Sequence, residues 1–286
     1  MAYPTVSAPY GAKPVNLIGG QVFAGSTRNL PISYNYGTAI YYGDLVALGT
    51  TGSNAGFIIP APTGASLTNT GKTIGVFLGC YYTNPTTKQR QYTQYYPGSV
   101  TAGDITAIVC DDPDTVFKMV AVTSASSNVI ASFPSAMVGL NAYTNTPVGN
   151  ANSGNSGLGL LGVNTTTAAG SGGAFRILNL VPDTQITNSA TFVSTTTTSF
   201  VVSGIPVGTY IPVGTDIFQL VNGQLQQLGV GANVATAFTS STTGNTTITI
   251  SAAVTTTPSA GATIALVQSP EVLVKLNFGV HSYYYA

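Results

Sequence analysis

Glycine and proline interrupt this chain every few residues, and between the interruptions stand short runs rich in Val, Ile, Tyr, Phe and Thr. Gly occurs 33 times and Pro 16 times in 286 residues, so a long helical periodicity never establishes itself. Short β-branched and aromatic runs bounded by turn residues are the pattern of sandwiches and barrels. The expected fold is therefore all-β: a β-barrel or sandwich core domain with a second, small β-sandwich-like inserted domain and little helix. The one helix candidate lies around Ser126 to Leu140, and Pro134 limits it.

The clearest alternation is near the C-terminus. Val272, Val274, Leu276, Phe278 and Val280 share one face, with Lys275, Asn277 and Gly279 on the other, which reads as a half-buried strand over 271–281. Asp104 to Cys110 and Val116 to Val122 read as two further strands. Asp111-Asp112-Pro113-Asp114-Thr115 joins them like a short polar hairpin loop.

Residues 184–269 stand apart: they hold a single charged residue, Asp216, and the run Thr195-Thr196-Thr197-Thr198. Phe218 to Val221 and Gln224 to Leu228 flank Asn222-Gly223, a strong hairpin signal because both turn positions need positive φ. Ile248, Ile250 and Ala252 alternate with Thr247, Thr249 and Ser251. The segment is read as an inserted Thr-rich β-domain, with residues 15–183 and 270–286 forming the core β-domain around it. Residues 1–14 carry Pro4, Pro9 and Pro14 with Tyr3 and Tyr10 between them, which favours extended backbone and an arm rather than a packed element. Such an arm either lies on a neighbour or frays. Residues 149–173, rich in Gly, Asn, Ser and Thr, suggest a long surface excursion.

Composition narrows the function. Hydrophobic residues make up 44% of the chain but charged ones only 6%, against roughly 25% in ordinary domains. Disorder needs low hydrophobicity and high net charge, so the chain is expected to fold. Its formal net charge is zero, whereas free proteins keep away from neutrality because neutral surfaces associate. A neutral surface suits a chain that faces neighbouring subunits, or one adapted to salty surroundings. Eight basic residues against eight acidic ones give no patch for phosphate, so nucleic acid is not an expected partner. No uninterrupted apolar run of about 20 residues occurs, and no membrane span is expected. Met1-Ala2-Tyr3-Pro4 shows no secretory signal, so the sequons at Asn164 and Asn245 carry little weight.

Chemistry is sparse. The one histidine, His281, falls on the polar face of the last strand beside no nucleophile signature, and reads as a surface or interface residue. Cys80 and Cys110 sit in apolar runs and read as buried free thiols. Asp111, Asp112 and Asp114 fail the calcium-loop spacing and suit a turn better. Gly157-Leu158-Gly159-Leu160-Leu161-Gly162 matches G-x-G-x-x-G, but no strand precedes it and Val163-Asn164-Thr165-Thr166-Thr167 is poor helix material. No catalytic residue, cofactor or metal is therefore expected. Tyr3, Tyr10, Tyr283, Tyr284 and Tyr285 are the candidate interface residues, because Tyr joins contact area to a hydroxyl; a strand end folding back on its own core is the other reading of the last three.

Several segments resemble one family. Ala2-Tyr3-Pro4 and Ala8-Pro9-Tyr10-Gly11-Ala12-Lys13-Pro14-Val15 are similar to the opening of a group of structural proteins from tailed bacteriophages, marine ones especially. Ile40-Tyr41-Tyr42-Gly43-Asp44-Leu45-Val46, Gly75 to Thr83, Tyr95-Tyr96-Pro97-Gly98, Asp111-Asp112-Pro113 and Ile177-Leu178-Asn179-Leu180 look like later motifs of that group. The likeness spans about residues 2–122, 174–183 and 270–281, and leaves 184–269 without a counterpart. It implies a virion component on the capsid exterior, assembled in the host cytoplasm: a capsid cement or decoration protein. Its partners would be the major capsid protein and itself, as a homotrimer or other homo-oligomer. A tail or fibre component contacting the host surface is the nearest alternative. A carbohydrate-active enzyme on a β-scaffold is the rival from another class, and Asp44, Asp104 and Asp183 are the carboxylates that would test it.

Overall fold

The computed structural model describes residues 6–63, 73–126, 128–146, 148–161, 173–229, 231–242 and 244–277. Among the described residues there are three six-stranded sheets and one two-stranded ribbon. In the first sheet the strands lie in the order Lys13–Leu17, Thr115–Val122, Glu271–Leu276, Phe175–Leu180 and Asn141–Ala142. Leu160–Leu161 runs parallel on Thr115–Val122. The second sheet runs Arg28–Pro31, Thr106–Cys110, Thr73–Thr83, Leu45–Leu48 and Ile58–Pro60, with Arg90–Thr93 paired to the far end of Thr73–Thr83.

These two sheets face each other as a sandwich. Phe117, Met119, Phe175, Ile177, Val272 and Val274 of the first meet Leu45, Ala47, Val76 and Cys110 of the second in one buried cluster. The second sheet also buries its other face: Val46, Phe77, Cys80 and Val109 pack under Ile32, Ile40, Tyr96 and Ile105. Coverage on both faces explains why Thr73–Thr83 is an almost unbroken apolar run instead of an alternating one.

The expected hairpin between Asp104 to Cys110 and Val116 to Val122 does not form. Thr106–Cys110 lies in the second sheet and Thr115–Val122 in the first, so the polar loop crosses from one layer to the other. Asp112 shapes the crossing by accepting Asp114 N–H at 2.9 Å, and Arg28 pairs with Asp111 at 2.8 Å. Crossing lets Cys110 and Phe117 bury in the same core, which a flat hairpin could not do.

The expected helix around Ser126 to Leu140 is reduced to a single 3-10 turn at Ser135–Met137. Ahead of it the backbone is spoken for: Ala131 N–H donates to the Ala121 carbonyl, Ser132 N–H to Val213 and Phe133 N–H to Ser269. The last core strand is Glu271–Leu276, with Val272, Val274 and Leu276 buried; residues 278–281 of the expected strand lie outside the described ones.

Residues 156–161 belong to the core rather than to a surface excursion. Leu158, Leu160 and Leu161 are buried, and the glycines permit close approach: a Cβ on Gly157 would stand 2.3 Å from the Val148 carbonyl oxygen. Glycine there serves packing, which composition cannot distinguish from a linker. From Pro9 onward the described part of the 1–14 segment is likewise packed. Pro9, Gly11 and Ala12 are buried, and Lys13–Leu17 pairs with Thr115–Val122.

The third sheet, in the order Gln224–Gln227, Asp216–Val221, Thr263–Gln268, Ile186–Thr195, Ser199–Ser203 and Asn245–Thr249, is built wholly from residues 186–268. It has its own core of Phe192, Phe200, Val202, Ile217, Ile248, Ile264 and Leu266, closed by Ile205, Ile211, Leu228 and Val234. Leu180 pairs with Val272 in the first sheet and Ile186 with Gln268 in the third, so the chain leaves and re-joins the sandwich on neighbouring strands. Among the described residues, no helix is long and apolar enough to cross a membrane.

Candidate assembly surface

Two of the three acidic groups that chemistry would need, Asp44 and Asp104, are tied into the fold. Asp44 is buried in a turn, accepts Tyr41 N–H at 2.7 Å and the Ser156 hydroxyl, and has its pKa raised chiefly by burial, against those two hydrogen bonds. Ser156 Oγ in turn accepts Leu158 N–H at 2.8 Å, so the carboxylate anchors the glycine-leucine segment. Asp104 is exposed and receives Thr83 N–H and, at 2.6 Å, the Thr83 hydroxyl. These bonds hold its pKa below the usual carboxylate value. Asp183 sits in the 3-10 turn Pro182–Thr184, where the chain leaves the sandwich. Asp44 lines a cavity of about 190 Å³ and is the only carboxylate among the described residues that line it, whereas paired-carboxylate hydrolysis needs two across one cleft.

Glu271, which sequence reasoning passed over, organises a polar cluster beneath the N-terminal segment. It is 3% exposed, accepts the Tyr10 hydroxyl, and has Lys118 Nζ at 3.4 Å from both of its oxygens. Lys13 Nζ lies over the Tyr10 ring, 4.3 Å from its centroid. Burial and the neighbouring Glu271 push the Tyr10 phenol far above its ordinary pKa. Tyr10 is thus used inside its own chain, pinning the N-terminal segment across the first sheet. Tyr3, Tyr283, Tyr284, Tyr285 and His281 lie outside the described residues.

The two cysteines are free and buried, on opposite faces of the second sheet: Cys110 in the sandwich core, Cys80 in the cluster beneath. A register shift between Phe77 and Gly79 accounts for this. Gly79, at φ +139°, inserts a bulge that turns Cys80 and Tyr82 to the face of Phe77.

The outside of the 186–268 unit is unusual in having no charge. Its one ionisable carboxylate, Asp216, is 6% exposed and accepts Ser135 N–H at 2.7 Å from the sandwich; burial raises its pKa. One face of its sheet is a hydroxyl array. Thr187, Ser189, Thr191, Thr263, Thr247 and Thr249 are exposed there, opposite the buried Ala190, Phe192, Ile264 and Ile248. At the sheet's end Leu220, Val221 and Leu225 are 40%, 37% and 51% exposed. A second apolar fringe, Val15, Ile18 and Val22, follows the outer strand of the first sheet into the Gly19-Gly20 turn. Apolar side chains at sheet edges without a neighbour among the described residues are candidate contact surfaces.

No protein-family model, no curated protein and no solved structure matches this chain.

Proposed function

We propose that the chain is a non-enzymatic virion structural protein of the tailed-phage type, a capsid cement or decoration protein that binds the outside of the head and stabilises capsomer contacts. The observation that supports this reading most is the 186–268 unit, whose only charged residue is buried. Such a surface can meet another neutral surface without desolvating ionic groups, leaving only its hydroxyls to be re-bonded. The sequence resemblance supplies the virion setting. Acting by contact area alone, each copy needs an interface of about 1,600 Å² in total, and many identical contacts act together.

The test is to add the purified chain to heads lacking it and count copies per particle. Hundreds of copies in register with the capsid lattice, with heads that survive greater mechanical or thermal stress, is the expected result. A few copies at the tail would transfer the role to a tail or fibre component. No attachment together with turnover of a polysaccharide, abolished by replacing Asp44, Asp104 or Asp183, would end the proposal.

A further inference from the structure

The hairpin Asp216–Val221 and Gln224–Gln227 closes one end of the third sheet, and its outer strand has no neighbour among the described residues. Asn222 (φ 50°) and Gly223 (φ 81°) form a two-residue turn, so Val221 and Gln224 exchange the inward hydrogen bonds next to it. Bonding alternates along an antiparallel pair, so Leu225 and Gln227 direct their N–H and C=O groups outward. Gln224, Leu225, Gln226 and Gln227 are all exposed.

Sheet edges are normally blocked by Lys, Pro, a bulge or a covering segment. Here Gln224-Leu225-Gln226-Gln227 contains neither charge nor Pro, and its register with Asp216–Val221 is regular. We infer that this edge is a self-pairing site: a second copy of the chain adds its own Gln224–Gln227 strand antiparallel across a two-fold axis at Leu225, joining two third sheets into one continuous sheet.

Three features fix the occupant as a second copy. The first is geometric. An axis on Leu225 makes it a hydrogen-bonded pair with its symmetry mate, so its outward N–H and C=O meet theirs in about two main-chain bonds, and Gln227 comes alongside the other copy's turn at Gly223. The second is side-chain register. Leu220 stands directly across from Leu225 within the hairpin, so the joined sheet carries four leucines in a row on one face. On the opposite face Gln224 meets Gln226 of the other copy, and amides both donate and accept. The third is charge. Identical copies bring identical charges, and an edge on a unit with no exposed charge has none to oppose. A partner of another kind would need a recognition charge or pocket that the edge does not offer. The pairing does not depend on the virion reading.

The experiment uses the full chain with Leu225→Cys. The native cysteines are buried, and paired α-carbons across this axis stand about 5.5 Å apart, within reach of a disulfide. Oxidation is expected to give a covalent dimer, while Thr247→Cys, on the opposite edge of the same sheet, gives no covalent dimer. Leu225→Lys sets two ammonium groups face to face and is expected to weaken self-association about tenfold, read by sedimentation over a concentration series. Leu225 is half-exposed, so both variants keep the wild-type melting behaviour. A wild-type chain monomeric throughout the series, no cross-link at Leu225, or undiminished association of Leu225→Lys would each overturn the inference. Cross-linked dimers that ignore phage heads would remove the virion proposal and leave this one standing; heads occupied by a monomer would do the reverse.

Discussion

The sandwich and the 186–268 unit solve the same packing problem with opposite treatments of charge. Of sixteen charged residues, eight basic and eight acidic, fifteen lie outside residues 184–269 and one, Asp216, inside. The sandwich uses its charges as fasteners at margins: Arg28 with Asp111 at a layer crossing, Lys118 with Glu271 under Tyr10, Arg90 over the rings of Tyr81 and Tyr92. The inserted unit fastens with hydroxyls and apolar contacts, and spends its one carboxylate on the sandwich through Ser135. Keeping ionic groups off an entire surface sacrifices solubility as a monomer, which makes sense where that surface meets others of its kind.

If the two units are separate cores, damage to one should leave the other standing. Phe200→Ala in the inserted core and Phe117→Ala in the sandwich should each cost about 3–5 kcal/mol. Calorimetry should then show Phe200→Ala lowering one transition while a second holds its position; a single transition moving as a whole would make the molecule one cooperative unit. Glu271→Ala strands the Tyr10 hydroxyl and is expected to cost about 1–3 kcal/mol, with faster hydrogen exchange confined to residues 9–17 and the strand beneath.

One carboxylate from each region, Asp104 and Asp216, should answer pH in opposite directions. Asp104 has its folded pKa lowered, so its contribution is present above the ordinary carboxylate pKa and is lost as pH falls through the folded value. Asp216 has its folded pKa raised, so its ionisation opposes folding: stability declines as pH rises from the ordinary carboxylate pKa through the raised one. Asp216→Asn should flatten that decline in denaturant titrations across the acidic range and leave the Asp104 limb intact. Smallest of all, Arg28→Ala should cost under about 1 kcal/mol, because Arg28 is 44% exposed, and the cost should shrink in high salt. Changing exposed threonines of the inserted unit to serine should give no such salt dependence.

How much could be read without the fold differs from element to element. The Asn222-Gly223 turn was legible because local φ requirements alone dictate it, and both residues do adopt positive φ. The buried face of Val272, Val274 and Leu276 followed from period-two alternation. The loop at 111–115 looked like a hairpin because a polar turn between two apolar runs carries the same local signature whether the chain pairs with itself or changes layer. Gly157 and Gly159 looked like linker because composition does not tell a glycine that bends from one that lets two backbones touch. Tyr10 drew notice as an aromatic, yet its partner Glu271 is 261 residues away, beyond any local rule.

The sequence by itself determined that this chain is β-built, that its turns fall where Gly, Asn and Pro require them, and that 184–269 carries almost no charge. Each of these is a property of single residues or near neighbours. Tertiary structure alone decided which strands share a sheet, which face each cysteine occupies after the Gly79 bulge, and that Asp216 lies buried while Leu225 stands half-exposed on a strand with one neighbour among the described residues. Pairing and burial depend on contacts between residues far apart in the chain, and those are settled only when the layers close on one another.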